Sequence, residues 1–381
     1  MNQRLALEKD VGRRVARFQA MLKENNLGAL LVVSAGGPGL SGMCKYLTNW
    51  VAWSGRAWVV LGEDSVEPAL LMTSSYGAKW NEQEATTQWI EFDMRDVIGR
   101  AVAVLKEMAG PNKRVGVESV ATGWTMGEWE RVCRELPDFE FVDVTKEVLA
   151  MRAIKTPFEV MHITEMGAMM VTGLAAFEEA ARLGVNCWKA GAAAEEAMRA
   201  VGCIWGRQKF SMDLRPYTIP TALDRRFTVD DIYVFELVYC SPLGYWCEIS
   251  NLYSYNPLPV RLQTQLETQS RVIEACAYTA CPGNPIGLIA ETSARLWAEA
   301  GYTVVGKHTP DCHCIGLDEN DGISAWYTPN ELLQQNMVLS FHPSAMLDGE
   351  RAFLLSDNYL VTMTGATRLS PKNWYHRQLP G

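Results

Sequence analysis

A short segment of the chain concentrates side chains that can bind metals or move protons. Residues 308–322 read HTPDCHCIGLDENDG, so two histidines and two cysteines fall within seven positions. Histidine and cysteine are ligands that zinc prefers, and a thiolate beside an imidazole can act as a nucleophile. A structural zinc site usually has a second ligand pair, and nothing downstream supplies one. The segment therefore indicates reactive chemistry without identifying its kind.

Three more residues that could bind a metal or move a proton lie in apolar stretches of the sequence. Glu236 lies within YVFELVY, Glu248 within YWCEISN, and His342 within NMVLSFHP. A buried carboxylate is costly unless it is paired or used. A solvent-facing position fits Glu236 poorly because its neighbours on both sides are large and apolar. The surroundings of Glu248 do not decide between a buried and a solvent-facing position. A histidine on a strand is commonly a hydrogen-bonded core residue, so His313 and His342 need further support.

The composition is that of an ordinary globular protein. The chain has 381 residues, 48% of them hydrophobic and 21% charged, and a net charge of −9. The length favours two domains, and the absence of a basic patch argues against nucleic-acid binding. We predict no membrane span, because no apolar run reaches that length, and no signal peptide. The ten scattered cysteines are typical of reduced thiols in a cytoplasmic protein.

The first part of the chain alternates helical and strand patterns, which predicts an α/β domain over residues 1–150. Thr125, followed by Glu128, predicts a capped helix start. The predicted helices are 11–28, 97–110 and 125–136, and the predicted strands are 29–34, 56–64, 67–74 and 113–119.

The second part, residues 151–381, changes to long helices followed by long strands. Lys155-Thr156-Pro157 predicts a linker and then a helix with proline at its first position. This order predicts an α+β domain with helices on one face of a sheet. The predicted helices are 158–184, 189–202, 259–280 and 286–301, and the predicted strands are 232–240, 245–255, 302–308, 336–343 and 358–365.

Five segments in this order resemble motifs of the pita-bread superfamily, which includes creatinase, prolidase, aminopeptidase P and methionine aminopeptidase. They are MRAIKTPFEVMHI, FTVDDIYVFELVYCSPLGYWCEISN, HCIGLDEND, NMVLSFHP and LLSDNYLVT. The resemblance covers essentially the whole chain. It implies an α/β N-terminal domain, residues 1–150, and a C-terminal pita-bread domain, residues 151–381, in which two helix pairs cover a curved antiparallel sheet.

The resemblance also implies which residues meet in the active site. Peptidases of the superfamily bind two divalent metals with two aspartates, one histidine and two glutamates. The matching positions hold Glu236, Glu248, His313, His342 and Ser356, so only the histidine is kept. Two metals about 3.5–4 Å apart need bridging carboxylates, which this set does not supply in the usual way. We therefore expect the dinuclear centre to be absent and Glu236, Glu248, His313 and His342 to converge in one pocket.

Other positions depart from the superfamily as well. A second histidine that its peptidases use near the substrate is replaced by Thr218 or Thr221, and a later His-Glu pair by Asn320-Asp321. Creatinase lacks metals, but its catalytic histidine stands where this chain has threonine. His308 resembles an upstream histidine that prolidases carry near the scissile bond, with the spacing changed by one residue.

Cys312 and Cys314 stand where the superfamily has glycines. They are either small replacements in a tight loop, which we favour, or nucleophiles activated by His313.

The segment TNWVAWSGRAW matches a part of the N-terminal domain that reaches the partner's active site in creatinase-like dimers. Trp50 and Trp53 could stack on a substrate and Arg56 could bind a carboxylate. The alternative is that these side chains pack on their own sheet. The resemblance and the apolar character of residues 50–58 predict a homodimer.

Three hypotheses for function follow. The first is a non-peptidase hydrolase or lyase that cleaves a C–N or related bond in a small polar molecule by Glu/His acid–base chemistry, without a cofactor. The second is a mononuclear site in which Glu236, Glu248, His313 and His342 bind one Fe, Zn or Mn ion. The third is a catalytically inactive binding module, which Ser356 and the loss of the substrate histidine favour.

Overall fold

The computed structural model describes residues 3–34, 42–51, 55–73, 83–214, 224–304, 311–348, 352, 354–372 and 374–381. The chain divides into two compact units, Met1–Arg152 and Ala153–Gly381. Each unit buries its own apolar residues.

The first unit is a mixed six-stranded sheet with helices, in the strand order β4-β3-β2-β1-β5-β6. Its strands are β1 Ala29–Ser34, β2 Ala57–Gly62, β3 Ala69–Met72, β4 Ile90–Phe92, β5 Arg114–Val117 and β6 Glu140–Asp143. Its helices are α1 Gln3–Glu24, α2 Gly42–Thr48, α3 Val97–Ala109, α4 Met126–Glu135 and α5 Thr145–Ala153, which ends at the boundary of the unit.

Sequence pattern accounts for the centre of this sheet. Every residue of β1, ALLVVS, is buried, as expected for a strand covered on both faces. β1 pairs antiparallel with β2 and parallel with β5. The predicted cap of α4 is confirmed: Thr125 accepts from the Glu128 N–H, and Glu128 accepts from the Thr125 N–H.

The described part of the second unit contains two helix pairs, a two-stranded antiparallel sheet, β10-β13, and two four-stranded sheets, in the orders β16-β9-β8-β7 and β11-β12-β14-β15. The helices are α6 Pro157–Ala180 and α7 Cys187–Ala200, which pack together, and α8 Val260–Thr279 and α9 Gly287–Glu299, which do the same. The strands are β7 Trp205–Met212, β8 Ile232–Cys240, β9 Trp246–Ser254, β10 Thr303–Val304, β11 Cys312–Cys314, β12 Val338–Phe341, β13 Ala345–Met346, β14 Asp357–Thr362, β15 Gly365–Arg368 and β16 His376–Gln378.

Helix α6 begins as the sequence predicts and corrects one expectation. Thr156 and Glu159 form a capping box, and Pro157 occupies the first turn. A window of this helix with mean hydropathy 1.3 is long and apolar enough to cross a membrane, contrary to the prediction that no run reaches that length. Such a window also occurs in buried core helices: 44% of it is buried, and α6 packs on β8 and β9.

The two sheets of the second unit are joined between β9 and β14. The Asn358 side-chain amide donates to the Glu248 carbonyl at 2.7 Å, and the Glu248 N–H donates back to the Asn358 Oδ1 at 3.4 Å. Two residues along, the Ser250 N–H donates to the Ser356 carbonyl at 3.1 Å. The backbone that carries Glu248 is therefore fixed from both sheets.

The loop after β11 is anchored by a buried ion pair. Lys155 Nζ lies 2.7 Å from Asp321 Oδ2, with the side chains 1% and 2% exposed. The Asp321 N–H also donates to the Cys314 carbonyl at 3.0 Å. Asp321, which stands where the superfamily has the glutamate of a His-Glu pair, thus ties the loop to the segment before α6.

Replacing Lys155 with Met should lower the free energy of unfolding by about 3–5 kcal/mol, because it leaves the buried Asp321 carboxylate without its ammonium partner. Urea denaturation followed by circular dichroism measures this change. Lys113→Met is the matched control, since the Lys113–Asp138 pair is exposed and should matter little. Equal stability of Lys155→Met and wild type would contradict the structural role of the pair.

Candidate functional site

A row of polar side chains crosses three neighbouring strands of the second unit. Lys209 on β7 pairs in register with Glu236 on β8, and Glu236 pairs with Ser250 on β9. Directly paired residues project from the same face of a sheet. Lys209 Nζ lies 2.9 Å from Glu236 Oε2, so the two side chains form an ion pair.

The other oxygen of Glu236 is held by a serine. Ser356 Oγ donates to Glu236 Oε1 at 2.7 Å. Ser356 is placed by Ser250, whose Oγ accepts the Ser356 N–H at 2.6 Å. Glu236 is therefore bound on both oxygens, by an ammonium and by a hydroxyl.

Glu248 is the most deeply buried acid of the site. Its side chain is 3% exposed, and its Oε2 lies 3.1 Å from His342 Nε2 and 3.8 Å from His313 Nε2. Ser340 Oγ donates to the same oxygen at 3.0 Å. Since His313 and Ser340 pair in register on β11 and β12, the second sheet presents three polar side chains to one carboxylate of the first.

The two imidazoles contact each other directly. Their rings are stacked with centroids 5.2 Å apart, and the two Nε2 atoms are 3.2 Å apart. His313 Nδ1 lies 3.0 Å from the Cys314 carbonyl, which can only accept, so Nδ1 carries a proton. In a neutral His313 ring, Nε2 is then a free base facing His342 and Glu248.

The pKa values of Glu248 and His342 move in opposite directions. Burial alone would raise the pKa of Glu248, but the His342 hydrogen bond and the positive charge around the carboxylate hold it well below its usual range. Burial would lower the pKa of His342, but the hydrogen bond to Glu248 and the carboxylate charge raise it above 6.5. Of the two imidazoles, His342 is therefore the one that is more readily protonated.

His313 behaves differently. Burial lowers its pKa below 6.5, and the attraction of Glu248 only partly opposes this. The charged form of His342 contributes stability that is present below its unfolded pKa and lost as pH rises through the raised folded pKa. The neutral form of His313 contributes stability that is lost as pH falls below its unfolded pKa. The two histidines therefore change the stability of the fold in opposite directions as pH rises. For this reason, titration of each histidine is more informative than the pH dependence of overall stability.

A second ion pair lies at the edge of the site. Arg207, two residues before Lys209 on β7, donates to Glu319 in the loop after β11. Both side chains are partly exposed, at 41% and 25%. The charges of Arg207 and Lys209 act on Glu236 and Glu248 as well. Three acidic side chains thus face two basic side chains and His342, whose pKa is raised.

The residues fit one metal ion but not two. Glu248, His313 and His342 offer ligand atoms that all lie within 4.8 Å of one another, which suits a single ion. The second position of a dinuclear centre would use Glu236 and a carboxylate at residue 356. Residue 356 is serine, and the Lys209 ammonium contacts Glu236 there.

The structure places the four residues expected to converge in two groups within the second unit, and their convergence in one pocket stays a prediction. Glu248, His313 and His342 form one group, and Glu236 forms the other with Lys209 and Ser356.

Cys312 and Cys314 point away from the site into the apolar core. Burial raises the pKa of Cys314 to about 12 and that of Cys312 well above its usual range, which disfavours the nucleophile hypothesis. Neither has the positive φ that would require a glycine.

The residues predicted from the first domain have partners within the first unit. Arg56 forms an ion pair with Glu128 at 2.6 Å, so its guanidinium is already bound to a carboxylate. Trp50 and Trp58 are 5% and 2% exposed in a single chain. Exposed apolar surface is therefore not a reason for dimerisation at these residues, and the homodimer stays a prediction from the family resemblance. Trp53, Thr218, Thr221 and His308 lie outside the described residues.

Sequence reasoning missed Lys209, Ser340, Arg207 and Glu319. The signal for the first and third is the Arg207-x-Lys209 alternation in GRQKF, which places two cations on one face of a strand. The same alternation sends Gln208 to the opposite face, where it donates to the Gly191 carbonyl.

Comparisons with known protein families agree with this architecture. Residues 162–363 match the sequence profile of metallopeptidase family M24, and residues 14–154 match the creatinase/prolidase N-terminal domain. No curated protein sequence matches significantly. The two matches confirm the predicted superfamily and the predicted pairing of an N-terminal domain with a pita-bread domain.

Solved structures share the fold along nearly the whole chain. The prolidase from Pyrococcus horikoshii OT3 is 18% identical with a TM-score of 0.78, covering 96% of this chain and 99% of that one. The dipeptidase PepE from Mycobacterium ulcerans is 18% identical with a TM-score of 0.81, covering 98% and 99%. The X-Pro aminopeptidase from Thermotoga maritima MSB8 is 19% identical with a TM-score of 0.79, covering 95% and 99%. At these identities the likeness concerns the fold alone.

Glu248→Gln should lower the pKa of His342, because it removes the charge that favours the imidazolium. NMR titration of the histidine ring protons in chelator-treated protein measures the shift. His376, whose pKa is lowered by burial alone, is the internal control and should not move. An unchanged His342 pKa in the variant would contradict the proton assignment.

Proposed function

The chain belongs to metallopeptidase family M24, and we propose that it is a non-peptidase member, a hydrolase or lyase that cleaves a C–N or related bond in a small polar molecule. The observation that carries the proposal is the contact of Glu248 with both imidazoles, at 3.1 Å and 3.8 Å, beside an ammonium paired with Glu236. The polar groups of the site are hydrogen-bonded to one another, which favours a maintained site over an inactive remnant.

The two imidazoles suit opposite proton-transfer roles. His342 holds a proton on Nε2 and acts as the general acid that protonates the leaving group. His313 presents an unprotonated Nε2 and acts as the general base toward water or a substrate proton. A proton taken up by His313 returns to His342 across the 3.2 Å between the two Nε2 atoms, which resets the pair for the next turnover.

Acidic and basic side chains around the pair hold the substrate. Glu248 orients His342 and stabilises its charged form. Lys209 has three N–H donors, and its described hydrogen-bond partner is Glu236, so it can also donate to a carbonyl or carboxylate oxygen of the substrate. Glu236 can accept from an N–H group of the substrate beside it.

A second candidate function uses one metal ion, and the spacing of ligand atoms favours it specifically. Glu248, His313 and His342 would hold one divalent Fe, Zn or Mn ion. His313 Nδ1–H donates a hydrogen bond to the Cys314 carbonyl, so the Nε2 lone pair of His313 would be available to such an ion. A bound ion would supply Lewis-acid chemistry, and Lys209 and Glu236 would bind the substrate as before.

Proline-containing dipeptides and methionyl peptides should not be hydrolysed, with or without added Mn²⁺ or Co²⁺, because the second metal position lacks its ligands. Liberation of free amino acid measures turnover, and the prolidase from Pyrococcus horikoshii OT3 serves as the positive control. Hydrolysis at rates comparable to that enzyme would contradict the non-peptidase assignment.

Once a panel of small amides, guanidino compounds and related molecules identifies a substrate, His313→Ala and His342→Ala should each lower kcat by a factor of about 10²–10⁴, as expected for lost acid–base catalysis. Chelator treatment before the assay separates the two candidates, because only the metal-dependent one loses activity and regains it with added ion. His376→Gln, outside the site, is the matched control. Wild-type turnover in either alanine variant would contradict the site assignment.

A further inference from the structure

We infer that the Lys209 ammonium is a resident cation that takes the place of the second metal of family M24, so that the site accepts no more than one divalent ion. The inference rests on the site assignment in the proposed function. Its test measures metal content, however, and can therefore fail separately from the proposed reaction.

The position of Lys209 supports the inference first. Its Nζ lies 2.9 Å from Glu236 Oε2, and Glu236 stands at a family metal-ligand position. A divalent ion bound to that oxygen would lie about 2.0–2.2 Å from it, and thus within about 5 Å of the ammonium. Two cations that close repel each other strongly in a partly buried site. The ammonium and the second ion therefore compete for the same carboxylate.

The hydrogen bond that Ser356 makes is an independent argument for the inference. A carboxylate at this position would bridge two metals, but Ser356 donates its hydroxyl proton to Glu236 Oε1 at 2.7 Å. A hydroxyl that donates to the ligand carboxylate satisfies an oxygen that would otherwise face a metal. Ser356 is 1% exposed and its N–H is held by Ser250 Oγ, so it is fixed in this orientation.

The number of carboxylates in the ligand set also agrees with one metal ion fewer than in the peptidases. Four carboxylates of the peptidase pattern match the charge of two divalent ions. Here the corresponding positions retain only Glu236 and Glu248, and the Lys209 ammonium already pairs with Glu236. One divalent ion could still bind to Glu248, His313 and His342. A second ion would have to be accommodated without the two missing carboxylates.

The pairing of strands in the sheet fixes the position of Lys209. It is the direct cross-strand neighbour of Glu236, and Glu236 is the neighbour of Ser250, so the ion pair does not depend on a loop. Its side chain is 36% exposed. Removing it should therefore disturb the site more than the fold.

Metal content per chain tests the inference in wild type, Ser356→Glu, and Ser356→Glu combined with Lys209→Ala. Each protein is stripped with chelator, incubated with Mn²⁺, which thiols bind poorly, and freed of excess by gel filtration. Plasma mass spectrometry then gives Mn per chain. We expect no more than one equivalent in wild type and in Ser356→Glu, and one additional equivalent in the double variant.

The matched control is Ser356→Glu combined with Arg207→Ala, which removes a cation from the same strand face but leaves Lys209 in place. It should bind no more Mn than Ser356→Glu alone. Circular dichroism shows whether the double variant with Lys209→Ala folds. If it does not, Lys209→Met, which keeps the apolar stem of the side chain, is used in place of Lys209→Ala.

Two equivalents in wild type, a second equivalent in Ser356→Glu alone, or no gain in the folded double variant would each overturn the inference.

Discussion

The carboxylate of Glu248 is almost completely removed from water, and such a group persists only with positive charge and hydrogen-bond donors around it. The fold meets this requirement from two directions. β9 carries Glu248, and β11, β12 and the residue after β12 bring His313, Ser340 and His342 to it. The Asn358 amide joins the two sheets at the same residue. The same residues therefore join the two sheets and form the site.

The departures from the peptidase pattern are consistent with one another. Exchanging a carboxylate for His342 removes a negative charge and adds a group that can carry a proton. Exchanging another for Ser356 removes a second negative charge, and Lys209 supplies a positive one. Loss of function without selection would not be expected to keep buried carboxylates paired in this way, because each unpaired buried charge destabilises the fold. The pairing supports the proposal that the site has changed its chemistry.

Much of the fold and part of the site could be predicted from the sequence. Ordered motifs placed Glu236, Glu248, His313 and His342 in one region, because strand positions in a known fold determine which side chains meet. Lys209 was missed because β7 contains none of those motifs and because the register between β7 and β8 cannot be read from either strand alone. The sequence left the role of Arg56 open between substrate binding and packing on its own domain, because its carboxylate partner, Glu128, lies 72 positions away and belongs to a helix with its own capping pattern.

The most direct measurement is anomalous X-ray diffraction at the manganese absorption edge, from crystals of the wild-type protein grown or soaked with Mn²⁺. No more than one anomalous peak should appear in the site, between Glu248, His313 and His342, with Lys209 Nζ within hydrogen-bond distance of Glu236. Two peaks about 3.5–4 Å apart, with the Lys209 side chain displaced from Glu236, would contradict the replacement of a metal by an ammonium.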